Sequence, residues 1–150
     1  MEETMTKLGI IGAMQVEVEL LLGAMENKTE TNIAGSTFYE GTLEGLDVVV
    51  VQCGVGKVNA AICAQILCSS FGVSHLVNTG IAGSLCADLD IGDLVVSTDA
   101  MYHDFDCVNF GYPYGKIPGM DVISFPADQH MMDYAFAAAE SVNPGHTKKG

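Results

Sequence analysis

The chain has 150 residues and a formal net charge of −13, from 19 acidic and six basic side chains, all six of them Lys. With so few cations to displace counterions, nucleic acid and acidic membrane surfaces are excluded as partners. A hydrophobic content of 49% excludes disorder, and the length fits a single domain, 1–150.

Leu8–Ile11, a short apolar run ending at Gly12, predicts a buried strand. A helical pattern follows from about Ala13 to Met25. Segments 37–43 and 46–53 flank Glu44-Gly45 and predict a hairpin. Gly54-Val-Gly-Lys57 then turns the chain into an Ala/Ile/Leu-rich helix over about 57–70. His75–Asn78 predicts another buried strand, Thr79–Ser84 its turn, and Leu94–Ser97 a further strand introduced by Ile91-Gly92-Asp93. Residues 99–127 carry little periodicity and many aromatics. Asp128 then caps a helix to about Val142, stopped by Asn143-Pro-Gly145. Residues 146–150 stand where a turn should hand over to another strand, so a truncated or cleaved polypeptide is expected. Strands alternating with helices predict an α/β fold around a largely parallel or mixed sheet. The glycine turns fall after strands, where such folds place their ligands.

Cysteines stand at 53, 63, 68, 86 and 107, an odd count without C-x-x-C spacing. Cys53, Cys63 and Cys68 lie in apolar stretches and read as small buried hydrophobes of a reducing compartment. The four His residues are scattered and set no metal-ligand spacing. The opening residues are not a signal peptide, and apolar runs such as Val48–Val51 are too short to span a bilayer. The expected location is the cytoplasm.

On the first helix, Ala13, Met14, Leu20, Leu21 and Ala24 form an apolar stripe, with Gln15, Glu19 and Glu26 opposite. Glu17 falls within the stripe. A carboxylate there is desolvated, so its pKa is expected to rise toward the range useful for acid–base work, opposed in part by the positive helix start. A surface Glu at the stripe's edge fits the same spacing. Gly54-x-Gly56-Lys57 fails the Walker pattern, because Lys57 is followed by Val58, and the dinucleotide fingerprint, because Asn59 stands at the third glycine. On the motif alone, a tight strand-to-helix turn fits it better than a ligand loop does. The small residues of Thr79–Gly83 let a backbone approach something closely, whether a ligand or a neighbouring strand. Tyr102, Phe105, Phe110, Tyr112 and Tyr114 crowd one aperiodic segment, fitting either a functional surface or a cap on the domain's own core. His103, Asp104 and Asp106 give only weak metal-ligand spacing.

Taken together, Gly9-Ile-Ile-Gly-Ala-Met-Gln-Val-Glu17, Gly54-Val-Gly-Lys-Val-Asn-Ala-Ala61, Asn78-Thr-Gly-Ile-Ala-Gly83 and Tyr102-His-Asp…Phe110-Gly-Tyr…Gly115-Lys-Ile-Pro-Gly119 resemble the 5′-methylthioadenosine/S-adenosylhomocysteine nucleosidases of the nucleoside phosphorylase superfamily, in order and spacing. The resemblance covers nearly the whole chain. It implies a three-layer α/β sandwich around a mixed, twisted sheet, incomplete at the C-terminus. It also implies a homodimer that cleaves adenine from a 5′-thio-substituted ribose by hydrolysis, in methionine salvage, without metal or organic cofactor. By position, Glu17 would activate the attacking water. Met14 and Ile81 would lie near the ribose, Val55 near the 5′ substituent, and Ala82 and Gly83 near the adenine. Phe110 and Pro118 would reach into the partner's active site.

Departures accompany the resemblance. Gln15 and Val16 stand where further acids are common, Ile81 where some relatives have Ser, and Ser84 where Gly is frequent. The segment that in the family supplies the aspartate protonating adenine and the glutamate gripping the ribose hydroxyls has no counterpart in these residues. Residues 1–150 alone are therefore expected to be inactive, and a longer parent active. Two rival readings are a phosphate-dependent phosphorylase, which would need Arg donors that this chain lacks, and a non-catalytic nucleoside-binding or oligomerisation module.

Overall fold

The computed structural model describes residues 7–150, in two compact units, one running to Gly83 and one from Ser84 to Gly150. The first unit is built on a mixed sheet of β1 (Leu8–Gly12), β2 (Glu26–Ile33), β3 (Ser36–Leu43), β4 (Leu46–Gln52) and β5 (His75–Asn78), in the order β2-β3-β4-β1-β5. β2, β3 and β4 form an antiparallel meander. β4, β1 and β5 run parallel, with Ile11 opposite Val51 on one side and Asn78 on the other.

Val48–Val51 are each at most 1% exposed. A run of β-branched side chains buried without alternation needs a sheet covered on both faces. Here α2 (Lys57–Phe71) covers one face and α1 (Gln15–Ala24) the other. Val49 and Val51 pack with Ile11, Phe38, Cys63 and Leu67, while Val48 and Val50 pack with Ile10, Val18 and Met25. The unit is thus three layers, helix on sheet on helix, as the fold class expected. Each fully buried Val contributes about 1.5–3 kcal/mol. The Phe38 and Phe71 rings stack at 5.1 Å on the α2 side.

The expected hairpin is β3–β4. Its two-residue turn places Glu44 and Gly45 at φ 50° and 80°, the positive values that a right-twisting hairpin requires. A second such turn, at Ala34-Gly35, adds β2, which sequence reading did not anticipate. Seven of the eight β2 residues are exposed, so no alternation marks it.

Two expectations for helical faces are corrected. The buried face of α1 centres on Val18, fully buried, with Leu21 and Leu22 beside it, whereas Leu20 is 83% exposed. The helix starts at Gln15, because Met14 is extended at φ −121° and ψ 155°. Its inward face is therefore set one position beyond Glu17. On α2, Cys63 is buried as expected but Cys68 is exposed. It follows the buried Leu67 by one residue, about 100° around the helix.

In the second unit β6 (Leu94–Val96) pairs in parallel with β9 (Thr147–Lys149), and β7 (Asp99–Met101) pairs antiparallel with β8 (Ser124–Pro126). β9 lies within the residues that the sequence marks only as the hand-over from a turn to a further strand. β7 and β8 lie inside the aperiodic segment, too short for a period to register. α3 (Gln129–Val142) is capped as expected, the Asp128 carboxylate accepting the Met131 N–H at 2.9 Å. No helix among the described residues is long and apolar enough to cross a membrane.

Candidate active site

The parallel strands β4, β1 and β5 end at one edge of the sheet, and the connections leaving them carry the candidate residues. The Cys53 N–H donates to the Gly12 carbonyl and the Thr79 N–H to the Ile11 carbonyl, each at 2.9 Å, so the three exits share one root. β1 leads through Met14 to Glu17, β4 through Gly54-Val55-Gly56, and β5 through Thr79–Gly83. Carboxyl ends of adjacent parallel strands are where open α/β sheets hold ligands.

Glu17 is the third residue of α1 and is half-buried. Its Oε2 accepts the N–H groups of Ala13 at 2.7 Å and Met14 at 2.8 Å. Its Oε1 accepts the Ile81 N–H at 2.9 Å. These bonds satisfy donors that a helix start leaves open and tie the turn after β5 to the start of α1. They also overturn the expected rise in pKa. The Ile81 N–H, then the Met14 N–H, hold the carboxyl below its ordinary value, with Ala13 adding and partial desolvation opposing. The group rests as a carboxylate. Sequence reading misses this because the donors are backbone amides, which no side-chain identity marks.

Around it, Met14 is 37%, Val55 75% and Ile81 74% exposed, and Ala82 and Gly83 are exposed as well. Such apolar groups at a strand-end rim offer an open floor to a ligand. Asn59, at the position where a dinucleotide loop has glycine, donates from Nδ2 to the Val55 carbonyl at 2.8 Å and locks the Gly54–Gly56 turn. Behind the rim, burial pushes the Cys53 thiol up, and it donates to the Gly54 carbonyl at 3.0 Å, an inert thiol. A cleft of about 680 Å³ reaches the β4 exit at Cys53 and Gly54 and runs between Gln15, Glu19, Ser36, Tyr39 and Gln52. Glu17 does not line it, so we place the site by the strand ends and the held carboxylate, not by cavity size.

In the second unit, Phe110 closes a short 3-10 turn, Val108–Phe110, and is 80% exposed; Pro118 is exposed too. The loop is organised locally: the Tyr102 and Phe105 rings meet edge-on at 6.2 Å, and the Tyr114 hydroxyl donates to the His103 carbonyl at 2.7 Å. Among the described residues no three His, Cys, Asp or Glu side chains gather as a metal ion needs.

A three-layer α/β unit with a hydrogen-bonded carboxylate at the ends of parallel strands defines a small-molecule site of the open-sheet type. The chain belongs to the phosphorylase superfamily, which residues 7–149 match. It is 46% identical over 138 residues to the 5′-methylthioadenosine/S-adenosylhomocysteine nucleosidase of Halalkalibacterium halodurans, covering 92% of this chain and 59% of that protein. It is 41% identical over 143 residues to that of Anoxybacillus flavithermus, covering 95% and 61%. The crystal structure of the Neisseria meningitidis nucleosidase in complex with methylthio-immucillin-A superposes with a TM-score of 0.92 at 34% identity, over 97% of this chain and 62% of that one. The chain spans about three fifths of the length of the curated relatives it matches.

Proposed function

We propose that the whole protein hydrolyses the N-glycosidic bond of 5′-methylthioadenosine and S-adenosylhomocysteine, releasing adenine and the thio-ribose. The observation that carries this reading is the Glu17 carboxylate, fixed by three N–H donors at the strand ends of a chain whose relatives are nucleosidases of that name.

A carboxylate offers about four lone-pair sites, and three of Glu17's are filled by backbone donors. The one left, on Oε1, accepts an O–H from water and aims its oxygen at the anomeric carbon. Departure of adenine leaves a ribosyl cation, which the fixed negative charge stabilises. Because that cation is a strong electrophile, a carboxylate of depressed basicity suffices to take the water's proton. Met14 and Ile81 flank the ribose, Val55 the 5′ substituent, and Ala82 and Gly83 the adenine. In a homodimer, Phe110 and Pro118 of each subunit close the other's site. The acid for the adenine and the grip on the ribose hydroxyls come from residues beyond these 150.

The test is adenine release from 5′-methylthioadenosine with and without phosphate, by residues 1–150 and by a chain of the relatives' full length. Phosphate-independent release by the longer chain, and none by the shorter, is expected. Strict dependence on phosphate would make the protein a phosphorylase, and nucleoside binding without any release a binding module.

A further inference from the structure

Most glycines at this protein's turns have positive φ, but Gly80 does not. Its backbone conformation is open to any residue, so some other need must explain the missing side chain. A Cβ built at Gly80 would stand 2.7 Å from Glu17 Cδ and 3.2 Å from Oε2, and closer still to Oε1. Real Cβ atoms do not approach so near, and Glu17 cannot yield freely because both its oxygens are held by N–H groups. The close approach of the Thr79–Gly83 turn is thus made neither to a neighbouring strand nor, at this residue, to a ligand. It is made to a side chain of the same chain.

We propose that Gly80 is a positioning residue. Its lack of a side chain lets the β5 turn close onto α1, so that the Ile81 N–H reaches Oε1 and the carboxylate is set in one place. This deepens the reading of Glu17 as the group that activates water, and it rests on that reading for its effect on rate. A methyl group at position 80 pushes the carboxylate off Oε1's donor and turns the free lone pair away from its target.

The experiment is a cycle of Gly80→Ala, Glu17→Ala and the double variant, with Gly23→Ala as control. Gly23 lies on the same helix with nothing within 4 Å of its Cβ position. Unfolding midpoints are read first. Gly80→Ala should lower the midpoint of the wild type but not that of Glu17→Ala, where the obstructing carboxylate is gone; equal loss in both backgrounds overturns the proposal. If Gly80→Ala does not fold, recovery of folding in the double variant gives the same answer.

Rate is read next, in the full-length enzyme. Gly80→Ala should lower kcat about tenfold or more, within the roughly 10²–10⁴-fold that a positioned base supplies. KM should barely move, and the acidic limb of the pH–rate profile should shift to higher pH, because the Ile81 N–H no longer favours the ionised form. Gly23→Ala should change neither. If the midpoint coupling appears while Glu17→Gln keeps full turnover, the catalytic reading fails and the positioning stands. If Glu17→Gln abolishes turnover while Gly80→Ala behaves as Gly23→Ala, the positioning fails.

Discussion

The two units differ in what they bury. Among the described residues, all twelve buried hydrophobic side chains lie in the first, on both faces of its sheet. In the second, the buried residues are Gly115 and Thr147, and Leu85, Ile91, Phe110 and Val142 are each at least 80% exposed. Yet the second unit has paired strands, a capped helix and local hydrogen bonds. Regular backbone structure is therefore no sign of a finished core: hydrogen bonds satisfy the backbone wherever strands meet, whereas a core needs apolar faces on two sides. The unit with the core also holds the carboxylate, and rigid elements hold functional groups more exactly than loops do.

The largest expected effect tests where the chemistry sits. Glu17→Gln should cost about 10²–10⁴-fold in adenine release by the full-length enzyme. Little loss would remove the first unit's claim to the reaction. Next comes the core itself. Leu67→Ala, at a fully buried position, should cost about 2–5 kcal/mol in denaturant unfolding. A cost like that of a surface change would dissolve the contrast between the units. In the second unit the helix cap offers a smaller test: Asp128→Ala should cost about 1 kcal/mol.

Acid should act on both units through held carboxylates. Glu17 lies below its ordinary pKa, chiefly through the Ile81 N–H, and Asp93 does so through the Asp90 N–H and His146, 2.8 Å away. Each contributes stability above the unfolded value that is lost as pH falls through the lower folded one. Unfolding midpoints measured against pH should fall on the acid side, and less steeply in Glu17→Gln; an unchanged slope would mean the three N–H bonds do not persist in solution. The smallest effect is expected at Phe110. Phe110→Ala should shift stability of the isolated chain by no more than about 0.5 kcal/mol, while lowering turnover in the proposed homodimer.

Much of this was legible in the sequence. The apolar run Leu8–Ile11, the β3–β4 turn, the α2 pattern and the Asp128 cap all announce their elements, because burial or capping constrains side-chain type there. β2 is silent because an edge strand open to solvent has no hydrophobic face to display. For α1 the pattern points to the wrong stripe because Leu20 is apolar but exposed, while Val18, the true centre, is flanked by two glutamates. The pattern marks Glu17 by its place in an apolar stripe, but what distinguishes it is its bonding to amides, one of them 64 residues away. Spacing along one helix cannot see a donor that another turn brings in.

That long-range bond has a kinetic corollary. The carboxylate reaches its full set of partners only once β5 has paired with β1 and its turn has swung back over the first helix. Of the three bonds that Glu17 accepts, the one from Ile81 closes by far the longest loop and so carries the greatest entropic delay. A nascent chain with strands, hairpin and both helices in place would still hold Glu17 by α1's own end alone. Its protonation would then serve as a clock: the moment its affinity for a proton drops marks the docking of β5, and with it the point at which the scaffold acquires a reactive centre.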